Sequence, residues 1–303
     1  MARAVYGPAV YNRALRMSVV PLRSASRETH GAHDARSPGS GSLHFSKVRG
    51  ITVLTRAIAA SPLRLLHPKN GGSASWVYAA TYGGGLLGGD AIALDAVVGD
   101  GARALISTQA STKVYRADAG ASQQLRVRAG DDSLLVLWPD PVTPFASARY
   151  TQEQHVDLAP TATLIAIDWM TAGRLSAGER WRFASYSSTT WLRRGTRLVL
   201  HDATILDPHD GDVAQRMGRF NCIAWAIAIG PAVRAAAIRI AGSLAGAPVP
   251  KRADILLSAA PLEDDGVLLR IAGTSTQQVG AVLKQHLNVV PSLLGDDPWA
   301  CRP

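Results

Sequence analysis

Carboxylates are the first side chains of this 303-residue chain to consider for chemistry. Asp90, Asp168 and Glu179 could each act as a general acid or base. Such catalysis needs two carboxylates, or a histidine and a carboxylate, that converge in one pocket. The sequence supplies the residue types but no spacing that would bring them together, so we predict no catalytic residue.

Nucleophilic and metal-dependent chemistry is no better supported. Ser107 and Ser111 lack the elbow motif of serine hydrolases. Outside the N-terminal segment, which contains His30 and His33, the chain has no HxH, HExxH or closely spaced Cys/His cluster. The stretch from His201 to Asp210 could bind nickel transiently at a surface, but a solvated turn is the favoured interpretation. We therefore predict no strong metal site.

The densest local signal is the stretch YGGGLLGGD, which runs from Tyr82 to Asp90. Its glycines allow positive φ and close approach of the backbone, which predicts a sharp turn with exposed amides. These glycines are Gly83, Gly84, Gly85, Gly88 and Gly89. A phosphate-binding loop would need Gly-Lys-Ser/Thr before a helix, whereas here Gly-Gly-Asp precedes a strand pattern. Nucleotide binding is therefore not expected.

Three strand-turn-strand units around this region can be aligned with one another. They span 97–108, 127–138 and 156–168, and the alignment superposes Ala102, Ser133 and Ala162. These positions are separated by 31 and 29 residues, a spacing typical of supersecondary units that stack into a solenoid. The units predict a solenoid-like, or β-helix-like, arrangement of strands.

Polar residues follow the end of each aligned unit. Thr108, Pro139 and Asp168 lie six residues past the aligned positions, and Gln109 and Asp140 follow the first two of them. Stacked units would place these side chains in a column that could line a wet groove or an internal channel. The alternative is that they are ordinary residues of strand-end turns, where Asp and Thr are common.

The rest of the chain predicts a mainly β protein of stacked sheets with two C-terminal helices. Alternating patterns give about fifteen strands, including a hairpin that turns at Arg194 and Gly195. One helix is expected near 231–244, after Gly230-Pro231. The other is expected near 274–290, from a capping box of Thr274 and Gln277 to a stop at Pro291.

The N-terminal segment differs from the rest in composition. Residues 1–41 are rich in Ser, Arg, Gly and Ala without periodicity, and we expect a disordered basic extension before a single domain of residues 42–303. An organelle transit peptide, or a true start at Met17, are alternatives. Residues 1–49 carry a net charge of +6 out of the total of +9. With no nucleic-acid-binding motif elsewhere, a nucleic-acid partner is not expected.

The cysteines and the apolar runs give an indication of the cellular compartment in which the protein is found. Cys222 and Cys301 are far apart and form no CxxC pattern, which favours a reduced, cytoplasmic protein without structural zinc. The longest apolar run, 222–233, contains Gly230-Pro231 and is too short to span a bilayer. No membrane partner is expected.

Four motifs in a fixed order resemble the urease accessory protein UreD family, called UreH in some organisms. They are YGGGLLGGD (82–90), STQASTKVYR (107–116), LWPDPVTPFASARY (137–150) and IDWMTAGRLSAGER (167–180). The segment 55–70 resembles the opening of the family, and the likeness covers about residues 42–295. The resemblance implies a non-enzymatic scaffold that binds apo-urease and, with UreF and the GTPase UreG, helps to deliver nickel to the urease active site.

Under this resemblance, the polar column becomes an expected path for nickel. A conduit should bind the ion weakly through oxygen ligands and water, because tight imidazole or thiolate sites would trap it. We therefore expect transient Ni²⁺ and no tightly bound cofactor. The expected path residues are Asp90, Thr108, Gln109, Asp140, Asp168 and Glu179.

The role of one motif residue, Lys113, and two alternative functions stay open. Lys113, which follows Thr112, would repel a cation, and it could pair with a carboxylate, anchor a neighbouring segment or face solvent. One alternative function is a β-helical enzyme acting on carbohydrate, with Asp90, Asp168 and Glu179 as acid and base. The other is a nickel metallochaperone that works alone, which the lack of His/Cys ligands disfavours.

Overall fold

Two β-sheets and a layer of helices are stacked in this protein, of which a computed structural model describes residues 37–263 and 265–300. A seven-stranded sheet, here called the outer sheet, packs on one face of a ten-stranded central sheet. Helices cover the other face of the central sheet. The prediction of a mainly β protein with stacked sheets is confirmed.

The strands in chain order are β1 (Ser40–Val48), β2 (Ile51–Ala59), β3 (Leu63–Leu66), β4 (Ser75–Thr81), β5 (Ala91–Val98), β6 (Arg103–Thr108), β7 (Thr112–Val114), β8 (Ala121–Ala129), β9 (Leu134–Trp138), β10 (Val142–Pro144), β11 (Arg149–Leu158), β12 (Thr163–Thr171), β13 (Ser185–Arg194), β14 (Arg197–Leu206), β15 (Cys222–Ile229), β16 (Ile255–Leu262) and β17 (Gly266–Gly273). The α-helices are α1 (Val213–Met217), α2 (Arg234–Leu244), α3 (Thr276–His286) and α4 (Val290–Leu294). Short 3₁₀ helices span Leu175–Ala177, Pro208–Asp210 and Pro231–Val233.

The three aligned units each add one parallel strand to each sheet. In the outer sheet β5, β8 and β11 are parallel neighbours, and in the central sheet β6, β9 and β12 are parallel neighbours. Leu134 pairs with both Arg103 and Thr163, so the residues that follow Ala102, Ser133 and Ala162 lie side by side. The predicted alignment of the units is confirmed. The neighbouring strands β1, β4 and β13 are also parallel to the units, whereas β15 and the outer strands β2, β3 and β14 pair antiparallel, so the sheets as a whole are mixed.

Burial follows the two-sheet packing. Along β11 the side chains of Tyr150, Gln154 and Val156 are buried between the sheets, and those of Arg149 and Thr151 are exposed. The central sheet is covered on both faces, and accordingly all five residues of β9 are buried. The space between the sheets is therefore closed to bulk water along most of its extent.

The two predicted C-terminal helices are present as α2 and α3, with different ends. Ser275, not Thr274, caps α3, because its hydroxyl accepts a hydrogen bond from the backbone N–H of Gln278 (3.1 Å). Pro291 does not end this helix but lies in the first turn of α4, where its missing N–H is not needed. The hairpin predicted at Arg194 and Gly195 is confirmed by β13 and β14.

Strand β1 begins at Ser40, two residues before the predicted domain boundary at residue 42. Ser40 and Gly41 already belong to β1, and the Gly39 carbonyl accepts from the Ala93 N–H (3.0 Å). The rest of the predicted disordered extension, residues 1–36, lies outside the described residues. Within the described residues, no helix is both long and apolar enough to cross a membrane.

Deleting residues 1–36 is expected to leave thermal unfolding unchanged, because β1 and its hydrogen bonds stay intact. Deleting residues 1–41 removes the start of β1 and should lower the melting temperature measurably. Melting curves of the two truncated proteins and the full chain give the comparison. A fall of about ten degrees for the shorter deletion would contradict the expected disordered extension.

Candidate functional site

The glycine-rich turn joins β4 of the central sheet to β5 of the outer sheet. Gly84 has a φ of 72° with open space around it, as a sharp turn requires. Gly85 is packed closely, and a Cβ at this position would lie 2.7 Å from the Lys113 carbonyl oxygen. The Leu86 N–H donates to that same oxygen (2.8 Å). The turn is thus fixed against β7.

Asp90 closes this turn. Its carboxylate accepts a hydrogen bond from the Leu87 backbone N–H (2.8 Å). Asp90 also lines an open cavity of about 340 Å³ at the N-terminal ends of the outer-sheet strands β5, β8, β11 and β13, together with Arg149 and Tyr150. Hence Asp90 has a local structural role and lies beside Tyr150, which reaches into the space between the sheets.

Lys113 faces solvent, and its backbone holds the glycine-rich turn. Two of the roles considered for it, exposure and anchoring of a neighbouring segment, therefore apply together. Tyr115, which follows on the same loop, packs edge-on against Phe145 with 5.1 Å between ring centroids. The loops after β4, β7 and β10 thus lie next to one another at one end of the sheets.

The side chains of Thr108 and Asp140 lie next to each other and are hydrogen-bonded, as expected for neighbouring positions of the polar column. The Thr108 hydroxyl donates to Asp140 Oδ2 (3.2 Å) and accepts from the Asp140 backbone N–H (2.7 Å). Gln109 is exposed beside them. Thr108 and Gln109 line a cavity of about 90 Å³ that Gln123 of the outer sheet also lines. At this cavity the predicted column of polar residues, here Thr108 and Gln109, reaches the space between the two sheets.

From Gln123 a chain of hydrogen bonds runs between the two sheets. The Tyr150 hydroxyl lies 2.5 Å from Gln123 Oε1 and 2.9 Å from Gln152 Oε1, and its single proton can be donated to only one of them at a time. The Gln152 amide donates to Ser188 Oγ (3.1 Å), and Ser188 Oγ donates to Asp168 Oδ2 (2.5 Å). The last bond joins the outer sheet to the central sheet.

Asp168 is a buried carboxylate, with 5% of its surface exposed. Burial raises its pKa, hydrogen bonds from Ser188 and Gln152 oppose that shift, and the charge of Asp202 adds to it. Burial, together with the charge of Asp168, also raises the pKa of Tyr150 and of Tyr186. Perturbed groups in one buried place are typical of functional sites.

Beyond Asp168, the buried polar side chains end in an ion pair between Arg270 and Asp202. Arg270 donates to Asp202 Oδ1 (2.5 Å), and Asp202 is 4% exposed. In the register of the central sheet Trp225 lies between Asp168 and Arg270. We call the whole set the polar layer; it comprises Gln123, Tyr150, Gln152, Asp168, Ser188, Thr190, Asp202 and Arg270.

Glu179 lies elsewhere, in the loop after β12. It accepts hydrogen bonds from Arg174 Nε (2.8 Å) and from the Ala146 N–H (3.1 Å). The bond from Arg174 is the main cause that lowers the pKa of Glu179. Arg174 in turn lies over the ring of Phe145, 4.2 Å from its centroid. Glu179 therefore holds a surface loop and is not part of the polar layer.

The described residues do not assemble a recognisable catalytic or metal site. They contain no group of three or more His, Cys, Asp or Glu side chains that could hold a metal ion. The Ser107 hydroxyl donates to the Trp138 carbonyl, and burial raises the pKa of the Cys222 thiol to about 12. Asp90, Asp168 and Glu179 lie in three different settings, so the geometry does not favour a carbohydrate-acting enzyme.

Sequence reasoning missed most of the polar layer. Tyr150, Ser188 and Arg270 were not singled out, since none belongs to a motif of recognised chemistry. Asp202 was considered only within the stretch 201–210, for which a solvated turn was favoured; it is instead a buried residue of β14. A usable signal is nonetheless present. Ser188 and Thr190 are polar residues between the buried Tyr186 and Leu192 on the inward face of β13, and Asp202 is a buried charged residue on the inward face of β14.

Comparisons with known proteins agree on one family. The sequence profile of the family described as "UreD urease accessory protein" matches residues 37–303. The chain is 48% identical over 270 residues to "Urease accessory protein UreD" of Sorangium cellulosum, covering 89% of this chain and 86% of that protein. It is 41% identical to the protein of the same name from Anaeromyxobacter sp., covering 88% and 90%. "Urease accessory protein D" of Arabidopsis thaliana is 32% identical, covering 86% and 99%.

Proposed function

The chain belongs to the UreD family of urease accessory proteins, and from this premise we propose that it is a non-catalytic scaffold for urease maturation. It binds apo-urease and, together with UreF and the GTPase UreG, supports delivery of nickel into the urease active site. Nickel is the cargo of this scaffold and not a resident cofactor.

The observation that carries this proposal is the polar layer between the sheets. Its hydrogen-bonded side chains lead from the cavity beside Thr108 to Asp168. Carboxylate, amide and hydroxyl oxygens hold a nickel ion less tightly than thiolate or imidazole groups would, as a carrier requires. The layer thus supplies weak ligands inside an otherwise apolar protein.

The stacking of the three units supports the proposed path. We infer that the units form a short solenoid-like segment, in which equivalent positions of successive strands lie side by side. Thr108 and Asp168 occupy equivalent positions of the first and third units, whereas the second unit has Pro139 there and Asp140 one residue further. Oxygen-bearing side chains at or next to one level of each unit would thus form a row of weak ligands.

The setting of the cysteine supports a cytoplasmic location. Cys222 is a buried, unbridged thiol inside the core. A thiol of this kind is stable in a reducing compartment, where disulfides are rare. Delivery of nickel to apo-urease would then take place where urease is synthesised.

Expression without partners is expected to give aggregated protein, and co-expression with UreF is expected to make it soluble. Several large apolar side chains are exposed, among them Ile51 (55%), Tyr82 (57%) and Leu87 (60%). Apolar surface of this kind is normally covered by a partner. The measurement is the soluble fraction with and without UreF, followed by a pull-down of UreF and apo-urease. Monomeric, well-behaved protein that captures neither partner would contradict the proposed function.

A further inference from the structure

The helical layer that covers the central sheet is built from sequence without acidic residues. Neither 213–253 nor 266–295 contains an Asp or a Glu, and these two stretches include α2, α3 and α4. On exposed helices, acidic and basic side chains commonly pair across one turn. The basic side chains of this layer have no such acidic partners on the helices themselves.

Helix α2 presents one side to solvent and the other to the central sheet. Ala237 and Ile240 are buried among residues of that sheet. Arg234, Ile238 and Arg239 lie on the opposite side of the helix and are exposed. Ile238 is 60% exposed, so a large apolar side chain lies in solvent between two positive charges.

Further cations lie close to this side of α2. Burial, and then the charge of Arg239, lower the pKa of His286, which places α2 next to α3. Lys284 is exposed on α3, and Lys251 and Arg252 are exposed in the loop that leads from α2 to β16. We call this set the basic face; it comprises Arg234, Ile238, Arg239, Lys251, Arg252 and Lys284.

The five cations of the basic face lack counter-ions within the described part of the chain. None of them forms a salt bridge there, whereas Arg174, on another loop, is paired with Glu179. Asp254, the first acidic residue after the loop, is itself exposed to solvent. Positive charge that is not neutralised within a surface attracts a partner of the opposite charge.

The chemistry of the basic face favours a protein partner. Nucleic-acid surfaces use aromatic rings for stacking, and neither α2 nor α3 contains Phe, Tyr or Trp. A membrane surface needs an apolar stripe along a helix, whereas the exposed side of α2 has the single large apolar residue Ile238. Protein interfaces combine a small apolar centre with a charged rim, which is the arrangement seen here.

We propose that the basic face is a docking surface for an acidic protein segment, which packs an apolar side chain against Ile238 and places carboxylates beside the surrounding cations. The polar layer lies on the other side of the central sheet. A segment bound to the basic face therefore does not contact the polar layer. The inference goes beyond the proposed function, because it requires neither nickel nor the polar layer.

The test measures peptide binding by the full-length chain, carried on a solubility-enhancing fusion partner, by fluorescence anisotropy at low ionic strength. The probe is a labelled peptide of about eighteen Glu, Ala and Leu residues, with the leucines at helical spacing. Arg234→Gln/Arg239→Gln should weaken its binding by about fivefold, the scale of two exposed ion pairs. Added salt should weaken binding to the wild type.

The apolar centre has a variant of its own. Ile238→Ser should weaken binding of the leucine-containing peptide by about fivefold, because it removes the apolar contact. Binding of a peptide of the same length without leucine should not change. The fusion partner alone gives the blank, and residues 1–36, which are present in every variant, contribute equally to all of them.

Arg128→Gln/Arg193→Gln is the matched control, because it removes two exposed arginines from the outer sheet, on the opposite side of the molecule. It should bind the peptide as the wild type does. Equal affinity of the wild type, Arg234→Gln/Arg239→Gln and Ile238→Ser would overturn the proposal. Absence of peptide binding to the wild type at low ionic strength would overturn it as well.

Two other probes test the classes of partner that the chemistry disfavours. They are a uridine oligonucleotide and vesicles of phosphatidylcholine with phosphatidylserine. We expect the acidic peptide to bind more tightly than either of them. Tighter binding of the oligonucleotide or the vesicles that is lost in Arg234→Gln/Arg239→Gln would assign the basic face to a nucleic acid or a membrane, and the proposed protein partner would be wrong.

Discussion

Replacing Asp168 by asparagine is expected to lower the nickel content of co-expressed urease by about tenfold or more, the scale of effect seen when a metal site loses a supporting charge. Asparagine has nearly the same shape, and its side-chain oxygen can still accept the bond from Ser188. The charge that attracts a cation is lost. The fold and the binding of UreF and apo-urease should survive the change.

The free energy of unfolding should not decrease in Asp168→Asn. The direction of the effect follows from the raised pKa of Asp168. Burial raises the pKa of Asp168 in the folded state, so the folded protein binds a proton more readily than the unfolded chain does. The free energy of unfolding therefore decreases as pH rises from the unfolded pKa through the raised folded pKa. Asparagine mimics the neutral form and removes this penalty. Its melting temperature near neutral pH should equal or exceed that of the wild type.

The measurement pairs thermal melts and pull-downs with the nickel content of purified urease. Asp118→Asn, at an exposed loop position, is the matched control and should leave all three unchanged. Fully nickel-loaded urease with Asp168→Asn would remove Asp168 from the path. A lower melting temperature that precedes the loss of nickel would instead favour a purely structural role. Fully nickel-loaded urease with the asparagine or glutamine variants of Asp90 and Glu179 as well would leave Asp140 as the one predicted carboxylate of the path.

The part of the site that lies in stacked units could be predicted from the sequence. Ala102, Ser133 and Ala162 align because the three units have nearly equal lengths and identical connections between the sheets. Equal lengths fix the register of parallel neighbours, and the register in turn brings Thr108 and Asp140 together. When units of equal length repeat along a sequence, the repeat thus predicts which of their side chains lie next to each other in the sheet.

The antiparallel part of the site could not be predicted in the same way. Asp202 and Arg270 are 68 residues apart and lie on strands of different sheets. No repeat relates them, and their contact depends on how the two sheets face each other. Asp90 and Glu179 show a different limit, since their residue type suits a nickel ligand while the hydrogen bonds they accept are those of turns. Residue type alone does not reveal which way a loop side chain points.

Gly85→Ala is expected to destabilise the protein by about 2–3 kcal/mol, because the added methyl group overfills a close-packed place. A Cβ at this position would lie 2.6 Å from the Tyr115 ring and 2.7 Å from the Lys113 carbonyl oxygen. The Lys113 carbonyl also accepts the bond from Leu86 and so cannot move away without breaking it. For a chain of this size the melting temperature should fall by about 3–5 °C.

Gly84→Ala is the control that distinguishes steric crowding by a new Cβ from the loss of the backbone freedom of glycine. Gly84 has a φ of 72° and open space around it, so alanine there costs backbone strain of about 1 kcal/mol and no clash. The melting temperature should therefore fall less than with Gly85→Ala. An equal or larger fall at Gly84 would show that turn conformation, and not contact with β7, is what the turn depends on. Since Gly85 also lines the cavity beside Thr108, its alanine variant should lose stability and nickel delivery together, whereas Asp168→Asn should lose nickel delivery alone.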